Sequence, residues 1–221
     1  MRGAMFASLI SFAAPAQGCE VALMLAVDVS GSVDADEYRV QMDGLAAALI
    51  DRSVSAALLS GEVQLALMQW TGSGRQSVVI NWTEMANEAD VLAFAEQVIT
   101  EPRLWRDFST SIGEAMALSL AYFAQVPTCK RHVIDISGDG KNNEGLLPTD
   151  VWDALAAGQV TVNALVIEES EPDLTAYFER EVITGPGAFA VTARTFEDYP
   201  EQMVRKLYRE LTKVVAVLEV Q

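Results

Sequence analysis

The sequence predicts an α/β domain: a doubly wound, mostly parallel sheet with helices on both faces. Three observations carry that expectation. Val21–Val27 and His132–Ile136 are predominantly apolar over their length, as expected of strands buried on both faces of a parallel sheet. Helix-spaced and strand-like runs alternate from there to the C-terminus, the order that winds helices onto both faces of one sheet. The chain has 221 residues, 51% of them hydrophobic, which is enough to bury the core of one domain.

Taken in order, the chain opens with Met1-Arg2 and an apolar run from Gly3 to Pro15, closing in Ala14-Pro15-Ala16. A positive start, a short apolar stretch and a small-x-small exit read as a signal peptide over residues 1–16, too short for a permanent anchor. The mature domain then spans 20–215 and is expected to be exported, to the periplasm or beyond, with no membrane insertion after cleavage. Asp34–Leu59 has helical spacing (Tyr38, Met42, Leu45, Leu49), with Asp34 or Asp36 placed to cap it. Val63–Trp70 and Gln76–Trp82 flank Gly72-Ser73-Gly74, a hairpin that makes one strand antiparallel. Glu88–Thr100 and Ser111–Phe123 read as helices. After the second apolar strand come a helix over Thr149–Ala157, a strand over Thr161–Ile167, a helix over Pro172–Ile183, a strand over Ala188–Ala193 and a helix over Asp198–Val215. No repeat, low-complexity tract or linker divides the chain.

Charge narrows the function. There are 15 basic against 31 acidic residues, a formal net charge of −16, and loss of Arg2 with the leader takes the mature chain to −17. Such a surface repels phosphate backbones and anionic lipid, which argues against nucleic-acid and membrane-surface roles and favours a cation or a cationic partner.

The chemistry is concentrated in Asp28-Val29-Ser30-Gly31-Ser32, directly after the first strand. In an open α/β sheet, ligands sit outside the carboxyl ends of the strands. Alternate residues leaving a strand end can turn one carboxylate and two hydroxyls toward a single point, and hard oxygen ligands suit Mg²⁺. Alternate oxygen-bearing residues run on to Asp34 and Asp36, but an EF-hand fails. Its sixth position needs Gly and its twelfth Glu, whereas Val33 and Arg39 stand there.

Together, Asp28-x-Ser30-x-Ser32, Thr110 in Ser-Thr-Ser-Ile-Gly-Glu-Ala and Asp139 in Ser-Gly-Asp-Gly resemble the metal-ion-dependent adhesion site of von Willebrand factor type A domains. The similarity in element order covers about residues 20–215, and within the family the chain looks most similar to bacterial, signal-bearing proteins of the DUF1194 type. The resemblance implies a six-stranded sheet in the order 3-2-1-4-5-6 with the third strand antiparallel. It also implies that Asp28, Ser30, Ser32, Thr110 and Asp139 hold Mg²⁺ (or Mn²⁺ or Ca²⁺), directly or through water. Two departures stand out: Gly138 separates Ser137 from Asp139, and Phe108-Ser109 precedes Thr110 where Gly is common. The binding mode so implied has the Asp or Glu carboxylate of a protein partner completing the metal shell. Trp105 and Phe108 are candidates for the rim around it, with Trp70 and Trp82 as packing residues.

The cysteines are spaced alike on the two apolar strands: Cys19 lies nine residues before Asp28 and Cys129 ten before Asp139. If those strands are parallel neighbours ending level, the two sulfurs face each other at the far end, and a Cys19–Cys129 disulfide follows. Two free thiols are the alternative, with lipid attachment at Cys19 a further one. An enzyme is not expected: His132 is the only histidine and begins a strand, no Ser-His-Asp set is available, and Glu114 and Asp107 are the only base candidates near the site.

Overall fold

The computed structural model describes residues 18–218, with side-chain surroundings to 212; the expected signal peptide lies outside the described residues. Six strands, β1 (Cys19–Asp28), β2 (Val63–Trp70), β3 (Gln76–Glu84), β4 (Cys129–Gly138), β5 (Val160–Ile167) and β6 (Ala190–Ala193), form one sheet. Its order is β3-β2-β1-β4-β5-β6, and only β3 runs antiparallel to its neighbour. The fold class read from the sequence and the strand order implied by the resemblance are those observed.

Helices α1 (Ala35–Ile50), α2 (Arg52–Ser60), α3 (Glu88–Thr100), α4 (Ile112–Tyr122), α5 (Trp152–Ala157), α6 (Leu174–Glu181) and α7 (Tyr199–Leu218) complete the domain. Strand alternation sorts the core into two layers. Val21, Leu23, Leu25 and Val27 of β1 pack with α1, α2, α3 and α7. Ala22, Met24 and Ala26, on the opposite face, pack with α4, α5 and α6. With helices on both sides no face of β1 meets water, which is why its sequence is apolar without alternation.

The long helix expected over 34–59 is two helices. Asp51 adopts an extended ψ of 136°, and its carboxylate accepts the amides of Ser53 and Val54, so it ends α1 and caps α2. The apolar period reads through the break because Leu49, Val54 and Leu58 all reach the same core layer. At the start of α1, Asp34 forms a full capping box with Glu37. The segment expected to be helical from Thr149 starts as a 3-10 turn and becomes α-helical at Trp152.

At the far end of the sheet from the candidate site, Cys19 pairs in register with Cys129 across β1 and β4, and the two are disulfide-bonded with Cα atoms 4.3 Å apart. Nearby, the single histidine packs its ring 4.8 Å from that of Phe123. A buried ionic cluster lies under α7. The ammonium of Lys206 contacts the Asp135 carboxylate of β4 and lies 3.4 Å from Glu210 Oε2, and Asn163 of β5 donates to Glu210 Oε1 at 2.5 Å. Each of these four residues is at most 2% exposed. Two carboxylates share one ammonium in a dry site, and burial pushes the Glu210 carboxyl up to about 7, against the pull of Lys206.

Candidate metal centre

The carboxyl ends of β1 and β4 lie side by side, and the residues singled out in the sequence meet there. Asp28, the last residue of β1, is fully buried; Ser30, Thr110 and Asp139 are at most 5% exposed. The loop folds back on the carboxylate: the Ser30 amide donates to Asp28 Oδ1 at 2.7 Å. The Ser30 and Ser32 hydroxyl oxygens are 3.2 Å apart, and Ser32 Oγ donates to Asp139 Oδ1 at 2.7 Å. Thr110 sits just before α4, and a Cβ built on Gly140 would lie 3.8 Å from its hydroxyl, which puts it beside the Asp139 turn. All five residues therefore share one cluster.

The cluster holds excess negative charge. Burial, and then the neighbouring Asp139 carboxylate, push the Asp28 carboxyl up to about 8. Burial also raises the Asp139 carboxyl, against the lowering effects of the Ser32 hydroxyl and Arg103. No hydrogen bond of normal geometry reaches Asp28 Oδ2, although the oxygen is buried. An uncompensated carboxylate oxygen costs energy unless a proton or a cation meets it. A divalent cation fits this donor set of two carboxylates and three hydroxyls, all hard oxygen. Among the described residues no group of three or more His, Cys, Asp or Glu gathers to hold a metal, so hydroxyl oxygens are needed for such a site.

Several residues that shape the cluster escaped the sequence reading. Arg103 Nη2 donates to the Val29 and Ser30 carbonyls at 3.1 and 2.9 Å, and Gln41 Nε2 reaches the Asp28 carbonyl at 3.4 Å. Asn143 Oδ1 accepts the Thr110 amide at 2.9 Å, and Asn142 Oδ1 accepts those of Ile112 and Gly113. The Asn142-Asn143 pair, three and four residues after Asp139, is a turn signal that could have marked this brace. Close approach also demands glycine. At Gly31 a Cβ would lie 3.2 Å from the Phe108 carbonyl oxygen, and at Gly113 one would lie 2.3 Å from that of Leu146.

Gly138 extends β4 and faces the site, and a Cβ there would stand 3.1 Å from Asp28 Oδ2. Trp70 is fully buried and Trp82 stacks on Phe123 at 5.5 Å, both as packing residues. Phe108 is 39% exposed. Trp105 instead packs against the core layer of α1 and α3, because its loop turns it inward. Of the two base candidates, Glu114 accepts the Ser73 hydroxyl and the Gly74 amide, both at 2.6 Å, and these bonds hold its carboxyl below the usual range.

Solved structures share this architecture. A von Willebrand factor type A protein from Catenulispora acidiphila matches with a TM-score of 0.61 at 19% identity, over 89% of this chain and 43% of that one. Proximal thread matrix protein 1 from the mussel byssus matches at 0.67 and 17%, over 88% and 48%. The pilus adhesin SpaC from Lactobacillus rhamnosus GG matches at 0.61 and 14%, over 89% and 31%. The chain thus spans less than half the length of each, and at these identities the likeness defines the fold: a type A α/β domain. Its family is narrower. Residues 18–215 match the model described as "Protein of unknown function (DUF1194)", and the chain belongs to that family. No curated protein matches the sequence.

Proposed function

We propose that this type A domain binds a protein partner in a divalent-metal-dependent manner, with Asp28, Ser30, Ser32, Thr110 and Asp139 holding the cation. The observation that carries this reading is the buried Asp28 Oδ2, which has no donor and lies within a cluster of hydroxyls and a second carboxylate. Such a cation, Mg²⁺ or alternatively Mn²⁺ or Ca²⁺, would supply net positive charge to which an Asp or Glu carboxylate of the partner binds. The chain's own part is to hold the loops. Arg103, Gln41 and the Asn142-Asn143 brace fix the oxygens in place before any ligand arrives. Two fold relatives bear names of adhesive or matrix proteins, which supports a binding role over an enzymatic one. The signal peptide expected over residues 1–16, the disulfide and the lack, among the described residues, of a helix able to cross a membrane fit an exported domain.

One other reading is a structural envelope domain whose cation serves stability alone, since the burial that raises the Asp28 and Asp139 carboxyls is offset by a cation in either role. Mg²⁺ calorimetry on wild type, Asp28→Ala and Asp139→Ala, on protein lacking residues 1–16, tests both. One saturable site, lost in Asp28→Ala, supports the metal reading, and no heat in wild type overturns it. EDTA then separates the two roles: unfolding on chelation favours the structural one, and an intact fold the binding one.

A further inference from the structure

Eight large apolar side chains are exposed among the described residues, and four of them lie on the two loops that bracket Thr110: Leu104 (43%), Phe108 (39%), Leu146 (45%) and Leu147 (53%). Both loops are held rigidly. The Gly31 amide donates to the Phe108 carbonyl at 2.8 Å, the Leu104 amide to Gln69 Oε1 at 2.9 Å, and Arg103 to the Val29 and Ser30 carbonyls. The 140–147 loop is tied to Thr110 and to the start of α4 through Asn142 and Asn143. Apolar groups presented on rigid loops beside a polar site lose little entropy on contact, the arrangement expected of a binding surface.

Charge is distributed unevenly around the same point. In a chain with twice as many acids as bases, Arg75, Arg103 and Arg106 gather on the β2 side, with the Arg75 guanidinium 3.9 Å over the Phe108 ring. Of the acids on this side, Asp107 adjoins Arg106 and acts on Arg103, while Glu114 and Glu144 accept hydrogen bonds from Ser73 and Gly74 of the hairpin turn. On the β5 side, Glu37 and Glu171 bring negative charge toward Asp139, with Asp34 and Glu169 beside Glu37 and Lys141 paired to Glu171 at 2.5 Å.

We infer that the partner is a protein segment in which the metal-bound carboxylate is flanked by apolar side chains and a second acid. It lies across the β2 side against Leu104, Phe108, Leu147 and Arg106. This rests on the metal reading above and adds the chemistry of the partner to it. A second copy of the chain fits less well, since it brings a net charge of −16 to the contact where a short acidic segment brings two or three charges.

Two blocked tetrapeptides test the inference: Leu-Asp-Leu-Glu, and Gly-Asp-Gly-Gln, which offers one carboxylate alone. Each is titrated by NMR into Mg²⁺-loaded protein, into Arg106→Glu and into Phe108→Ser. The first peptide is expected to bind about fivefold or more tighter than the second in wild type, an advantage that shrinks in both variants at unchanged Mg²⁺ affinity. Equal affinities in wild type, or an advantage surviving both substitutions, overturn the inference and leave the metal site standing. Absence of Mg²⁺ binding overturns both. Sedimentation showing Mg²⁺-dependent dimers that Arg106→Glu dissociates assigns the surface to a second copy instead.

Discussion

The buried cluster under α7 yields a pH dependence with a definite sign. Glu210 titrates from 4.5 in the unfolded chain and from about 7 in the folded one, because burial raises it against the pull of Lys206, with the Asp135 carboxylate adding to the rise. Its folded-state value is raised, so its contribution to stability is fully present below pH 4.5 and is lost as pH rises through about 7. At about 1.4 kcal/mol per unit, that contribution amounts to about 3 kcal/mol, an upper value because burial relaxes and the cluster shares its protons. Glu210→Gln keeps the acceptor for Asn163 and imitates the neutral acid. Urea unfolding followed by tryptophan fluorescence at pH 5 and pH 8 should find the variant equal to wild type at pH 5 and more stable at pH 8, by about 1–3 kcal/mol. A difference that is the same at both pH values, or a variant destabilised more at pH 8 than at pH 5, refutes the claim that the fold forces a proton onto Glu210. Burial lowers the neighbouring Arg131 guanidinium, against the raising effect of the Glu210 charge.

Other consequences are as specific. Lys206→Met leaves the Asp135 and Glu210 carboxylates without their cation and should cost about 3–5 kcal/mol at pH 8, measured by the same unfolding. Gly113→Ala pushes a methyl toward the Leu146 carbonyl; a loss of about 1–3 kcal/mol with increased amide exchange in 140–147 is expected, and unchanged exchange argues against the contact. Reducing Cys19–Cys129, which closes a separation of 110 residues, should lower stability by about 4 kcal/mol without changing the secondary structure seen by circular dichroism. Asp51→Ala removes the α2 cap and should cost about 1 kcal/mol in thermal unfolding.

The backbone pattern was legible from the chain because it is local. Largely apolar strands with helical periods between them specify a two-sided sheet, and the similar spacing of Cys19 and Cys129 from their strand ends was enough to set the disulfide register once β1 and β4 were neighbours. The Asp-x-Ser-x-Ser turn marked its own position at a strand end for the same reason. What local pattern could not supply is the pairing of polar groups across long separations. Asp135 lies between the apolar Ile134 and Ile136 of β4, and its neutralisation depends on Lys206, 71 residues later on α7. The helix break at Asp51 is invisible to periodicity because both halves face one core layer, and only the capping geometry ends the first of them. At the candidate metal centre, the sequence named the oxygens but not what holds them: Arg103 and Asn143 brace the loops from 73 and 33 positions away. The sequence alone determined the order of elements and the residue types at the strand ends. Tertiary structure decided which charges are buried and what compensates them, because desolvation depends on every neighbour packed around a group and not on its place in the chain.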